Sequence, residues 1–376
     1  MAEFVRAASN WALAPPGCPG MLHAMPRRVR IQDLETFCLD ALQRAGVGEE
    51  DARATTQVLV TTDSWGVFTH GTKALRLYLR RLRGGGIRAK GRPRIVAEGP
   101  AWARMDGDSA LGMVTSSFAM HTALDKAAQS GVGYVGVSNS CHYGAAGYYA
   151  ALALPRSMIG FAMANDIPTV NAPGAAGSVL GSNPFAFAVP AGEERPILLD
   201  MATATVAGGK VYAASALGSP IPATWLVDRE GAPTTDSSLF PDRASLTPLG
   251  GYKGYGLALM VEVLSAVLPG AALAWQVKSW TYDDPSVATG HGAGFLALNI
   301  ETFMPPAQFR SRMDQLIRGI RGSAKAPGAA RILLPGEREF EARDRALASG
   351  LELPDDVAAS LRAAAAEAGM DPPSGL

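Results

Sequence analysis

"AAQSGVGYVGVSNSCHYGAAGYYA", residues 127–150, decides between two kinds of α/β fold. Its core, Gly131 to Gly136, matches the GxGxxG fingerprint of dinucleotide-binding βαβ units letter for letter. In those units the glycines follow a strand and open a helix, so that helix N–H groups meet a pyrophosphate. Here the order is reversed. "MVTSSFAMHTALDKAAQ" (113–129) reads as a helix, and "VGYVGVSN" (132–139) reads as the strand after it. Gly131 is then the left-handed residue just past a helix end, and the fingerprint is disfavoured. His142 follows, between the strand end and the small residues Gly144, Ala145, Ala146 and Gly147. Ligands in α/β proteins gather at the carboxyl ends of strands, and small residues there let a flat ring or a phosphate reach the backbone. Histidine also exchanges a proton near neutral pH. The competing reading is a packed core histidine beside a tight helix.

Outward from this stretch, 376 residues are too many for one ordinary core, so two subdomains are expected. "IQDLETFCLDALQRAG" (31–46), "EEDARATTQVLVTTDSWG" (49–66) and "THGTKALRLYLRRLR" (69–83) read as helices, the third with Thr69 as its N-cap. From about 100 the style alternates. "ARMDGD" (103–108), "MIGFAMAN" (158–165), "NPFAFAVP" (183–190), "RPILLDMA" (195–202) and "GAGFLALNIET" (292–302) are strand candidates, with a long helix at 254–268. The tail from 305 is mostly helical, with "ARILLPGERE" (330–339) as a strand-to-helix junction. The expected architecture is mixed α/β. It comprises a disordered extension (1–28), a helical segment (29–98), a central α/β domain (99–304) and a C-terminal helical segment (305–376) packing back on the first. Strand order is not legible at this level.

Composition narrows the partners. Lys+Arg and Asp+Glu are 34 each, so no net field favours nucleic acid or an anionic membrane. The basic run "RLYLRRLRGGGIRAKGRPR" (76–94) reads as the solvated end of a helix stopped by Gly84 to Gly86. Cys18, Cys38 and Cys141 form an odd set without CxxC spacing, which disfavours a disulfide framework or a metal site and fits a reducing, cytoplasmic setting. "LALMVEVLSAVLPGAALAW" (257–275) carries Glu262 and Pro269, so a buried helix and turn is expected rather than a membrane span. The first 28 residues lack the apolar core of a signal peptide.

The remaining histidines sort unevenly. His23 lies in the extension, His121 sits mid-helix, and His291 reads as structural. His70 opens a helix beside Gly71, where free N–H groups suit an anion. Residues 70, 74 and 78 share a helical face, so His70 and Tyr78 are expected in one cleft with Lys73 at its edge. Three other junctions are rich in small residues: Ser182 and Asn183 before a strand, Asp200, Thr203 and Lys210 in "LLDMATATVAGGK" (198–210), and Lys253 in "PLGGYKGYGLAL" (248–259). Each alone is an ordinary turn. Together they suggest one extended phosphate-bearing cofactor.

At this point the chain resembles a known family, the malate/L-lactate dehydrogenases that lack a Rossmann fold, from about residue 30 to 365. The carrying motifs, in order, are "THG…Y" (69–78), "SNSCHYGAAGYY" (138–149), "GSNPFAFAVP" (181–190), "LDMAT…GK" (199–210), "GSPIPATWLVDREGAPTTD" (218–236), "PLGGYKGYGLALMVEVLS" (248–265) and "LLPGERE" (333–339). The family also includes ureidoglycolate, sulfolactate and diketogulonate enzymes and piperideine/pyrroline-2-carboxylate reductases. The resemblance implies a nicotinamide-binding domain inserted between helical segments, and a homodimer with the active site near its interface. It implies His142 as the group that protonates a carbonyl oxygen or imine nitrogen as hydride arrives from NADPH or NADH. It places substrate contacts at Thr69, His70, Tyr78 and Lys73. Cofactor contacts fall at Asp166, Ser182, Asn183, Asp200, Met201, Ala202, Lys253, Gly336, Glu337 and Arg338.

One departure stands out. Many members carry an arginine four residues after the motif histidine, and this chain has Ala74. A two-pronged carboxylate clamp is therefore missing, and Lys73 or Arg76 is left to supply charge. The expected function is reduction of C=O or C=N beside a carboxylate in a small molecule, reversible with 2-hydroxy acids. The alternatives are a cyclic imine reductase and a non-catalytic dinucleotide-binding protein, the latter disfavoured by the presence of His142, Lys253 and Asp200 together.

Overall fold

The computed structural model describes residues 28–376. Apart from Arg28, the expected extension lies outside the described residues, and so do His23 and Cys18. Arg28 itself departs from that expectation, because β1 (Arg28–Val29) is a paired strand. Three helices follow: α1 (Ile31–Arg44), α2 (Glu49–Ser64) and α3 (Leu75–Gly84). α1 buries Leu34, Phe37, Cys38, Ala41 and Leu42, the stripe its 3.6-residue periodicity promises.

α3 begins later than the sequence suggests, and Thr69 does not cap it. Residues 68–70 and 72–74 form two short 3₁₀ turns instead. The cause is Asp63 of α2, which accepts hydrogen bonds from the Thr72 backbone N–H (3.1 Å) and hydroxyl (2.5 Å). The Thr69 hydroxyl turns to His70 Nδ1 (2.9 Å). Gly85, left-handed at φ 94°, ends α3 as expected.

The next elements are β2 (Arg94–Gly99), β3 (Trp102–Asp106), α4 (Gly112–Ser130), β4 (Val132–Ser140), α5 (Ala146–Ala151), β5 (Met158–Ala164), β6 (Val170–Asn171), β7 (Ser178–Leu180), β8 (Phe185–Val189) and β9 (Ile197–Met201). After them come α6 (Gly208–Ala216), β10 (Leu226–Asp228), β11 (Pro233–Thr234), β12 (Ala244–Leu246), α7 (Tyr252–Glu262) and β13 (His291–Asn299). The chain closes with α8 (Pro306–Arg321), α9 (Glu337–Ser349), β14 (Leu351–Glu352) and α10 (Asp355–Ala368).

The largest sheet has seven strands in the order β2-β3-β4-β13-β5-β8-β9. Within it only β3 and β4 run parallel. This is not the parallel sheet of a doubly wound nucleotide-binding fold. The GxGxxG letters serve packing here. Gly131 (φ 80°) closes α4, and a Cβ on Gly133 would stand 2.0 Å from the Ala123 carbonyl oxygen of that helix. Val135 and Val137 share the α4 side of β4. On the other side, the Tyr134 hydroxyl donates to the Leu264 carbonyl in the π-helical turn (Val263–Val267) that continues α7.

A five-stranded sheet, β11-β10-β12-β6-β7, has a core of its own around Val170, Val211, Leu226 and Leu246. The strand expected within 330–334 does not form. Leu198 of β9 donates to the Pro335 carbonyl (3.1 Å), but proline has no N–H to extend a ladder. β14 pairs with β1, and Asp356 and Glu367 of α10 accept from Lys73, just before α3, and Arg76 of α3.

Candidate active site

His142 stands just beyond the end of β4, 9% exposed. Its Nδ1 lies 2.6 Å from the Tyr78 hydroxyl of α3. Its ring stacks on Trp280 with centroids 4.0 Å apart and planes 10° apart, and His70 lies 5.6 Å away. Gly144, at φ 81°, turns the chain where a larger residue would be strained. Burial pushes the His142 pKa well below 6.5, and the nearby His70 and His291 push it further down. Burial likewise lowers His70, opposed by Asp166. Tyr78 is driven well above 10 by burial, so it remains a hydroxyl.

The junctions rich in small residues meet along one seam. Asp200 accepts from the Gly147 N–H at the start of α5 (2.8 Å). Both the backbone N–H and the hydroxyl of Thr203 donate to the Ser182 carbonyl (2.9 Å each). Leu249, on the turn leading to Lys253, donates to the Thr203 carbonyl (2.9 Å). Asn183 accepts from the Asp166 N–H (3.2 Å) and donates to buried Glu262 (2.9 Å). His291 Nε2 lies 3.3 Å from Asp166 Oδ1, while its buried Nδ1 has no partner. Met201 and Ala202 are half-buried between Asp200 and Thr203. Gly336 (φ 91°) abuts β9, where a Cβ would come within 2.8 Å of Leu198, and Glu337 and Arg338 open α9 behind it.

Other expectations fail on contact with the fold. Lys73 points to Asp356 (2.7 Å) and Arg76 to Glu367 (2.8 Å), both on α10, so neither cation faces His142. The basic run is not all solvated, since Arg81 is 2% exposed. His291, read from the sequence as structural, lies on β13 within reach of Asp166 and near enough to His142 to lower its pKa. Three contributors escaped the sequence reading: Trp280, Arg81 and Asp63. Asp63 shapes the His70 turn, since a Cβ on Gly71 would overlap its carboxylate, and burial pushes its pKa up to about 7 against the Thr72 hydrogen bonds. A glycine after His70 was the one visible trace of that contact.

Residues 29–362 match the sequence family described as malate/L-lactate dehydrogenase. The chain belongs to this family. The dehydrogenase is 37% identical over 350 residues to a malate dehydrogenase of Pyrococcus abyssi, covering 91% of this chain and 95% of that one. It is 34% identical over 330 residues to a ureidoglycolate dehydrogenase (NAD(+)) of Escherichia coli, covering 88% and 93%. The solved sulfolactate dehydrogenase of Methanocaldococcus jannaschii superposes with a TM-score of 0.84 at 37% identity, covering 92% of this chain and 98% of that one. The mixed α/β fold is therefore the family's. Among the described residues of the dehydrogenase, no group of three or more His, Cys, Asp or Glu is placed to hold a metal ion, and no helix is long and apolar enough to cross a membrane.

Proposed function

We propose that the dehydrogenase reduces a C=O or C=N bond beside a carboxylate, reversibly with the 2-hydroxy acid, and that His142 gives and takes the proton. The observation that carries this reading is the 2.6 Å contact of Tyr78 with Nδ1 of a buried histidine, at a turn where Gly144, Ala145, Ala146 and Gly147 bear nothing larger than a methyl group. In the tautomer with its hydrogen on Nδ1, the ring donates to the Tyr78 hydroxyl and Nε2 is left to exchange the proton. Protonated Nε2 donates to the carbonyl oxygen or imine nitrogen. Bare Nε2 takes the proton back from a hydroxy acid. Thr69 holds the His70 imidazole beside it.

The seam fits a nicotinamide dinucleotide. Beside Lys253, Gly250 and Gly251 have positive φ and open space where a Cβ would stand, so their backbone is approachable. Asp166, Ser182, Asp200, Met201 and Ala202 edge the same seam, with Gly336 to Arg338 behind β9. Bound there, NADH or NADPH supplies the hydride. The NAD(+)-dependent relative supports that cofactor class. The free cysteines Cys38 and Cys141 suit a reducing, cytoplasmic setting. An exposed apolar face on α7 suits a homodimer.

The test is nicotinamide fluorescence on titration, followed by NADH and NADPH oxidation with pyruvate, phenylpyruvate and piperideine-2-carboxylate. His142→Ala should abolish turnover and leave cofactor affinity nearly unchanged. Full residual activity in that variant would remove His142 from the chemistry. Turnover of the imine alone would select the cyclic imine reading.

A further inference from the structure

Arg81 is buried, and its guanidinium donates to four backbone carbonyls: Ser279 (2.5 Å), Trp280 (2.8 Å), Val287 (2.9 Å) and Asp283 (3.0 Å). All four belong to the loop between α7 and β13. The end of α3 is moulded to that loop. Gly86 donates to the Pro285 carbonyl (2.9 Å), and a Cβ on Gly84 or Gly86 would stand 2.8 or 2.4 Å from Pro285 backbone atoms. The loop's Trp280 is the ring that lies on His142, and it is only half-buried. Two residues on, Tyr282 is 61% exposed, with its ring 6.2 Å from Tyr212 of α6. The same helix abuts the substrate motif, since a Cβ on Gly209 would lie 3.1 Å from Thr69. Trp280 thus lies on His142, and the Tyr282–Tyr212 pair joins the same loop to the helix beside Thr69.

Cations are engaged elsewhere. Lys73 is held by Asp356, and Arg76 and Arg80 by Glu367. Arg81 is taken by the loop carbonyls. Position 74 is an alanine, 2% exposed. A second acidic group on a substrate would meet aromatic rings here without a cation from α3, and a charge withdrawn from water without a partner is costly.

The geometry points to Trp280, set in place by Arg81, as the residue that selects the substrate's substituent. The site takes singly charged 2-oxo or 2-imino acids with a flat, apolar substituent in preference to those with a second acidic group. This rests on His142 as the proton-exchanging group and extends that reading to a substrate class.

Steady-state kinetics with phenylpyruvate, pyruvate and oxaloacetate test it, on the full chain and on Trp280→Ala, Trp280→Phe and Arg81→Lys. Cofactor affinity is followed in parallel by nicotinamide fluorescence. Phenylpyruvate should exceed oxaloacetate in kcat/KM by about tenfold or more. Trp280→Ala should raise the KM for phenylpyruvate about tenfold more than that for pyruvate, leave cofactor affinity little changed, and be largely rescued by Trp280→Phe. Arg81→Lys should follow Trp280→Ala, because an ammonium cannot reach four carbonyls. If Arg81→Lys does not fold, the substrate preference and the two Trp280 variants decide the question. Equal or better turnover of oxaloacetate, or an equal loss on all three substrates in Trp280→Ala, overturns the inference and leaves the dehydrogenase reading intact. Failure to oxidise cofactor with any 2-oxo or 2-imino acid overturns both.

Discussion

His142 resists protonation more than a histidine in water does, because burial removes hydration and two other imidazoles lie close by. Oxidation of a hydroxy acid needs the bare Nε2, and reduction needs the protonated ring. The kcat/KM for oxidation should therefore stay level as pH falls through 6.5 and break only below it. The kcat/KM for reduction should rise toward acid by about tenfold per pH unit above that break. Initial-rate profiles in both directions check this, and an acid limb at or above 6.5 for oxidation would remove His142 as the titrating group. At this scale His142, His70 and Tyr78 were legible, since each stands at a chain reversal or on a shared face with conspicuously small neighbours. Trp280 was not, because nothing in "VKSWTYDD" (277–284) marks contact with residue 142. Arg81 was hidden among Arg76, Arg80 and Arg83. A run of arginines does not say which one turns inward, and only the loop carbonyls decide it.

Between β4 and α4 the contact is set by backbone rather than by side chains. A Cβ on Gly133 would stand 2.0 Å from Ala123 O and 2.8 Å from Ala127 N, both of which are fixed by the helix. Gly133→Ala should lower stability by about 1–3 kcal/mol through overpacking. Gly319→Ala, in α8 with nothing near its Cβ position, should raise stability by about 0.5–1 kcal/mol. Urea unfolding midpoints of the two variants give the comparison, and a neutral Gly133→Ala would show that the helix can yield. Long elements were readable from periodicity, as α1, α2 and α4 were, because burial of one stripe repeats many times. Strands of two or three residues such as β6, β7 and β11 were not, because so short a run has no period. The 330–334 stretch misled because apolar residues before a proline look like a strand, yet Pro335 cannot continue a ladder.

On the whole molecule, α7 and its π-helical turn bury one side against the seven-stranded sheet and leave the other open. Leu259, Met260, Val263, Val267 and Leu268 are 40–59% exposed along that side. Apolar faces of this kind mark contact surfaces, and a twofold pairing of two copies covers both at once. Sedimentation should give a dimer, and Val263→Glu combined with Val267→Glu should shift it to monomer with the fold retained by circular dichroism. A monomeric wild-type chain would assign the face elsewhere. Overall class was legible in the alternation of elements, but the sheet order was not, because β13 reaches its place from far along the chain. That placement bears on how the molecule is made. β13, the last of the seven strands to be synthesised, lies between β4 and β5, each of which is complete by residue 164. Until residues 291–299 emerge from the ribosome, the largest sheet is two halves with an open seam of strand edges between them. His142 sits at one lip of that seam, and His291 arrives on the strand that closes it, so the pocket takes shape only once β13 has been made.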